Sequence, residues 1–256
     1  MTKSIQGIFA LTLSAIFVHG FYVILVEPNV ALAQALISQG EGDQQRSIWI
    51  ILKDFEQEAC LILMFWAIYL IAEKFIHITK TNYLFEVDFF KNCDMSSSAI
   101  SAVVDDLEKL QGTVTSAPLL RVLKVSLRRF LLSQDIHATA EVIEAECVAL
   151  ANRNEAENSM IRYLIWAIPS IGFIGTVRGI GQALAQADKA LAGDISGMTN
   201  SLGVAFNSTL VALFVSMILM FLLYQLQRAQ DSITVSVNDY CQNKVLDRLS
   251  RSRLTQ

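Results

Sequence analysis

Few residues in this chain could do metal or redox chemistry, and they are scattered. The four cysteines, Cys60, Cys93, Cys147 and Cys241, form neither a CxxC pair nor a metal-ligand spacing, so they read as free thiols. His19, His77 and His137 are equally dispersed. There is no HExxH, GxSxG or phosphate-loop signature and no paired-carboxylate motif. The sequence therefore predicts no enzyme active site, no bound metal and no cofactor. What stands out instead is a set of small polar groups inside strongly apolar runs: Thr176 in one run, and Asn207, Ser208 and Thr209 in another. In hydrocarbon, such groups either bond to a neighbouring helix or line a route for a charged species. A membrane threonine can also bond back to its own helix, and spacing alone leaves these readings open.

The elements that must position these groups are membrane helices. Of the 256 residues, 53% are hydrophobic and only 17% charged, against about 45–50% and about 25% in soluble domains. Mean hydropathy is +0.44. A disordered chain and a disulfide scaffold are excluded, and a net charge of −4 leaves no footprint for nucleic acid. Residues 5–26 carry no formal charge and can cross a hydrocarbon core of about 30 Å. Lys3 before this run and Ala31-Leu32-Ala33 after it also fit a signal peptide. The run exceeds the ~7–15 apolar residues of such a segment, which favours a retained span ending at Glu27-Pro28. Residues 59–78 form the second span, with Glu73 and Lys74 near an interface. The third run is 163–187, interrupted by Arg178, and the fourth lies between Asp194 and Arg228.

The expected fold is an all-α integral membrane protein with four transmembrane helices. Residues 1–78 hold the first pair of spans, 79–159 a cytoplasmic helical insert, 160–227 the second pair and 228–256 a cytoplasmic C-terminal helix. Lys and Arg crowd the insert and the tail, whereas the two opposite loops hold only Arg46, Lys53 and Lys189. That bias places the insert and both termini in the cytoplasm. Within the insert, Ser97 and Ser98 can cap a helix whose apolar stripe is Ile100, Val103, Val104, Leu107 and Leu110, ending at Gly112. Ser116-Ala117-Pro118 starts another, with Pro118 in the first turn. Its face of Leu119, Leu120, Leu123, Leu127, Phe130 and Leu131 opposes Arg121, Lys124, Arg128 and Arg129. This reads either as a bundle helix with a solvated basic face or as a helix touching anionic lipid. No Pro or Gly lies between Ile136 and Ala167, or from span four to about Leu249, so spans three and four are expected to extend far into the cytoplasm.

Spans three and four carry complementary small faces. Gly172, Gly175 and Gly179 share one face of span three, with Pro169 able to kink it and Thr176 beside it. Ala205, Ser208, Ala212 and Ser216 form a narrow small stripe on span four, with Thr209 beside it. Arg178 is a charge inside span three that either snorkels to the interface or serves at the mouth of a pore.

These two segments resemble the MotA/TolQ/ExbB proton-channel superfamily. Pro169–Ile180 is similar to its proline followed by Gly-x-x-Gly-Thr-Val-x-Gly-Ile, and the stretch around Ser208-Thr209 resembles its small-hydroxyl motif followed by a long apolar run. The similarity covers residues 160–227, and the order of elements fits as well. The resemblance implies a homopentamer in the bacterial inner membrane whose third and fourth spans line a central pore. Inside it would sit a dimer of a single-span ExbD/TolR/MotB-like subunit carrying a membrane aspartate. H+ or Na+ would neutralise that aspartate, and the pentamer would rotate about its partner. Thr176 and Thr209 match the family's pore hydroxyls, with Ser208 and Asn207 alongside. Pro169 matches a proline used in transmitting movement, and Gly172, Gly175 and Gly179 the helix-packing face. The chain departs from the pattern at Val204, where ExbB-like members often carry glutamate, and at Arg178, where members often carry an apolar residue. No acid lies within spans three and four, so the titrating group is expected on another chain.

Two functions follow. The first is the pore-forming subunit of an ion-driven rotary motor that transmits force to an envelope-spanning partner. The second is a non-conducting membrane scaffold that docks a soluble effector through its cytoplasmic helices. A secondary transporter is disfavoured by the lack of an internal repeat or a midplane substrate acid.

Overall fold

The computed structural model describes residues 2–38, 47–91, 95–109 and 117–254. Among these residues every regular element is helical. Four stretches, Ile5–Leu36, Phe55–Phe85, Ile136–Leu184 and Ser196–Ser252, are long and apolar enough to cross a membrane. The protein is an all-α, multi-pass membrane protein. Its contacts divide it into two compact units, Met1–Ala72 with Met160–Tyr224, and Glu73–Ser159 with Gln225–Gln256.

The first unit opens with α1 (Thr2–Phe21), a π-helical turn (Tyr22–Val26) and α2 (Glu27–Ser38). Glu27-Pro28 was expected to end the first span, but the helix runs on to Ser38. Proline removes a helical donor, and the preceding turn absorbs the misfit: the Glu27 N–H bonds the Tyr22 carbonyl, five residues back. A short α3 (Ile48–Ile51) precedes α4 (Phe55–Thr81). This second apolar helix starts before residue 59 because the Asp54 carbonyl accepts from Gln57 N at 3.1 Å and Glu58 N at 3.4 Å. Val18, Tyr22 and Val26 are buried together, with Leu61 and Ile62 packed on them. Phe17 and Phe65 meet edge to face at 5.4 Å.

The remaining first-unit elements are α8 (Ser159–Leu184), α9 (Ala187–Leu191) and the leading part of α10 (Ser196–Tyr240). Asp194 starts α10 by accepting from the Ser196 N–H at 3.1 Å and the Ser196 hydroxyl at 2.5 Å. Large apolar side chains such as Phe9, Ile16, Trp166, Phe173 and Phe214 stand outward, an arrangement that suits lipid rather than water.

The second unit contains α5 (Ser97–Lys109), α6 (Pro118–Ser133), α7 (Ile136–Glu157), the end of α10, a π-helical turn (Cys241–Leu246) and α11 (Asp247–Leu254). The apolar stripes converge as their spacing requires. Ile100, Leu107, Leu120, Leu123, Leu127, Ile143, Val237 and Leu249 are each at most 2% exposed in one core. The helix cap is one residue earlier than expected: Ser96, not Ser97 or Ser98, accepts the Ala99 N–H at 3.3 Å. Leu110, Gly112 and Ser116 lie outside the described residues. Pro118 takes the first turn of α6 as its sequence predicts. The basic face of α6 meets acids within the unit, Arg121 with Glu146 at 3.3 Å and Arg128 with Glu108.

The unbroken helix expected from Ile136 into span three is interrupted once, at Asn158. Its N–H bonds Asn154 O at 3.0 Å and Glu155 O at 3.2 Å, tightening the turn. Its buried amide donates to Gln230 Oε1 at 2.7 Å. Asn is a poor interior helix residue unless its amide is occupied in this way.

Candidate functional site: a hydroxyl seam with an acidic edge

The small faces of α8 and α10 meet each other. A Cβ added at Gly172 would lie 2.5 Å from Ala212 Cβ, and one at Gly175 would lie 2.5 Å from Ser208 Cβ. At Gly179 it would lie 2.7 Å from the backbone nitrogen of Ala205 and 2.8 Å from the Ser201 carbonyl oxygen. These spacings are below contact distance, so the absence of a side chain is what lets the two backbones approach. The partner expected for the small stripe is therefore α8 of the same chain.

Pro169 sits within α8. Its ring deprives the Ile165 carbonyl of its usual donor, and Ser216 Oγ donates to that oxygen at 3.0 Å. The fourth member of the α10 stripe thus satisfies the acceptor that the proline exposes.

Thr176 and Thr209 lie half-buried at the edge of this seam, and their hydroxyls bond each other. Thr176 Oγ1 is also 3.2 Å from Gly172 O and 3.1 Å from Ala205 O, while Thr209 Oγ1 is 3.3 Å from Gly172 O. The back-bond to its own helix and the bond across helices therefore occur together at Thr176. Two hydroxyl protons serve two carbonyls and one another's oxygens, so the pair can redirect a donor without losing its place. Ser208 is fully buried in the seam, donating to Val204 O at 2.9 Å and accepting from Gln57 Nε2 at 3.4 Å. Asn207 is half-buried and has no side-chain hydrogen bond among the described residues.

Arg178 finds its counter-ions in this chain. Its Nη2 lies 2.7 Å from Glu56 Oε2 and 3.7 Å from Asp54 Oδ1. Glu56 is 4% exposed and Gln57 is completely buried. Glu58 binds His19 Nδ1 at 2.8 Å. Burial raises the Asp54 carboxyl above the ordinary carboxylate range, Lys53 and Arg178 pull it back, and Glu56 adds to the rise. Sequence reasoning missed these acids because it placed them outside the second span. The signal was present in Asp54-Phe55-Glu56-Gln57, an acidic residue followed three positions later by glutamine at a helix start.

Residues 114–238 match the profile of the MotA/TolQ/ExbB proton channel family. That stretch is just under half of the chain, and over it the chain is similar to this family. No curated protein and no solved structure gives a match. The family stretch contains Pro169, the three seam glycines, Thr176, Arg178 and the Asn207-Ser208-Thr209 run. Asp54, Glu56 and Gln57 lie outside it.

Proposed function

We propose that this chain is the pore-forming subunit of an ion-driven rotary motor. Five copies surround a dimer of a single-span subunit whose membrane aspartate binds H+ or Na+, and the assembly works in the inner membrane with both termini cytoplasmic. The observation that carries this reading is the bonded Thr176–Thr209 pair, held half-buried where the two family segments meet. A carboxylate in lipid is costly unless donors face it. A ring of such pairs stabilises its charged form and loses hold of it on protonation. The scaffold alternative rested on the basic helix α6, and two of its four basic groups are engaged in ion pairs.

Native mass spectrometry of the complex extracted from its host membrane is expected to give five copies of this chain with two of a small single-span protein. A monomer or dimer without such a partner overturns the reading. Thr209→Val keeps the side-chain shape and removes the hydroxyl. Ion flux through that variant is expected to fall by roughly a hundredfold with the assembly intact. Normal flux would count heavily against a role for the pair.

A further inference from the structure

We propose that Asp54, Glu56 and Arg178 form a proton-loading site carried by this chain itself, feeding the hydroxyl seam from the end where α4 begins. The inference rests on the proton-driven reading above and adds a titrating group on this subunit to that on the partner.

Arg178 reaches two carboxylates, at 2.7 Å and 3.7 Å. With both carboxylates ionised the trio carries a net charge of −1, which Lys53, the other cation acting on Asp54, offsets only from outside the trio. Glu56 leads inward from it. Its Cγ lies 3.2 Å from the Cβ position at Gly175, and Ser208 Oγ lies 2.6 Å from the same point. The carboxylate arm and the seam hydroxyl therefore converge on the same point of the α8 backbone.

A second, independent observation points the same way. Gln57 is fully buried with its Nε2 donating to Ser208, and its Oε1 has no donor among the described residues. The buried Asp54 Oδ2 has none either. Buried acceptors without donors are costly. A water that carries protons to this edge would supply the missing O–H. The charged and titratable groups around Asp54 are Lys53, Glu56 and Glu58 from its own segment, Arg178 from α8, and His19 and Tyr22 from the first apolar stretch. Burial shifts Asp54 toward holding a proton. Loading turns one carboxylate into a carboxylic acid while Arg178 stays with the other. Unloading passes the proton to the next carboxylate on the path, the one carried by the partner, and no further reactant is needed.

The test uses the complex isolated from its host membrane and reconstituted in vesicles, with proton uptake followed by a pH-sensitive dye under an imposed potential. Glu56→Gln is expected to lower uptake by at least about tenfold, and Glu56→Asp to restore most of it. Glu56→Gln also strands Arg178 beside a neutral partner, so the deciding variant is Glu56→Gln with Arg178→Met, which removes both charges. A loading site predicts uptake still about tenfold down with an unchanged melting temperature. A purely structural ion pair predicts near wild-type uptake in the double variant, and that result overturns the proposal. Uptake by the wild-type complex with equal uptake by Glu56→Gln overturns the loading site and leaves the motor reading standing. A wild-type complex of the proposed composition that takes up no protons overturns the motor reading and this inference with it.

Discussion

The two units of this molecule are built by opposite rules. In the second, large aliphatic side chains such as Leu120, Leu123 and Leu127 are completely buried and the charges lie outside. In the first, glycine, alanine and serine form the contact between α8 and α10, while Trp166 is 79% exposed and Phe206 70%. The difference reflects the solvent each unit is made for. In water, removing leucine from solvent is the main driving force. In lipid, leucine gains nothing by turning inward, and helices associate through close approach and hydrogen bonds.

The contrast predicts opposite responses to side-chain size. Leu123→Ala is expected to lower stability by about 3 kcal/mol, through lost burial and the cavity left behind. Gly179→Ala is expected to cost about 2 kcal/mol, because the added methyl meets backbone atoms of Ala205 and Ser201 that cannot swing aside. Both are read from unfolding of the full chain in detergent, followed by helical circular dichroism. A Gly179→Ala protein as stable as the wild type would break the comparison, since the seam would then be no tighter than an ordinary helix contact.

The same contrast explains how much was legible in the sequence. Periodicity found α5 and α6 and their buried faces because leucines at helical spacing have one simple use in water. Long apolar runs with few charges found the four apolar helices for the complementary reason. The Gly-x-x-Gly-Thr-Val segment and the Ser208-Thr209 run were legible as a pair, because small and hydroxyl residues are conspicuous among Leu, Val and Phe. What escaped was local or long-range. The π turn that carries the chain through Pro28 and the break at Asn158 depend on single hydrogen bonds that no pattern announces. The Glu56–Arg178 pair joins residues 122 apart in sequence, and hydropathy pushed Glu56 out of the span that positions it.

Two aspartates offer the finest test of the comparison. Asp88, in the second unit, is opposed by burial, but the Phe90 N–H at 3.0 Å and Arg248 at 2.5 Å outweigh it, with Lys244 adding to the effect. Its carboxyl is held below the ordinary range. A depressed carboxyl contributes stability above its unfolded pKa, and that contribution is lost as pH falls through the folded value. Asp88→Asn is therefore expected to destabilise by up to about 1 kcal/mol at neutral pH, a difference that shrinks as pH falls through the folded value. Asp54, in the first unit, is raised, so the sign reverses. Its ionised form opposes folding above the folded pKa, and that opposition is relieved as pH falls toward the unfolded value. Asp54→Asn is expected not to destabilise at neutral pH, with its difference from the wild type shrinking on acidification. Melting temperatures of both variants between neutral pH and pH 3 read the two slopes directly. Equal slopes would mean that the acidic edge of the seam is solvated like the surface of the second unit, and the contrast between the two environments would not reach their charges.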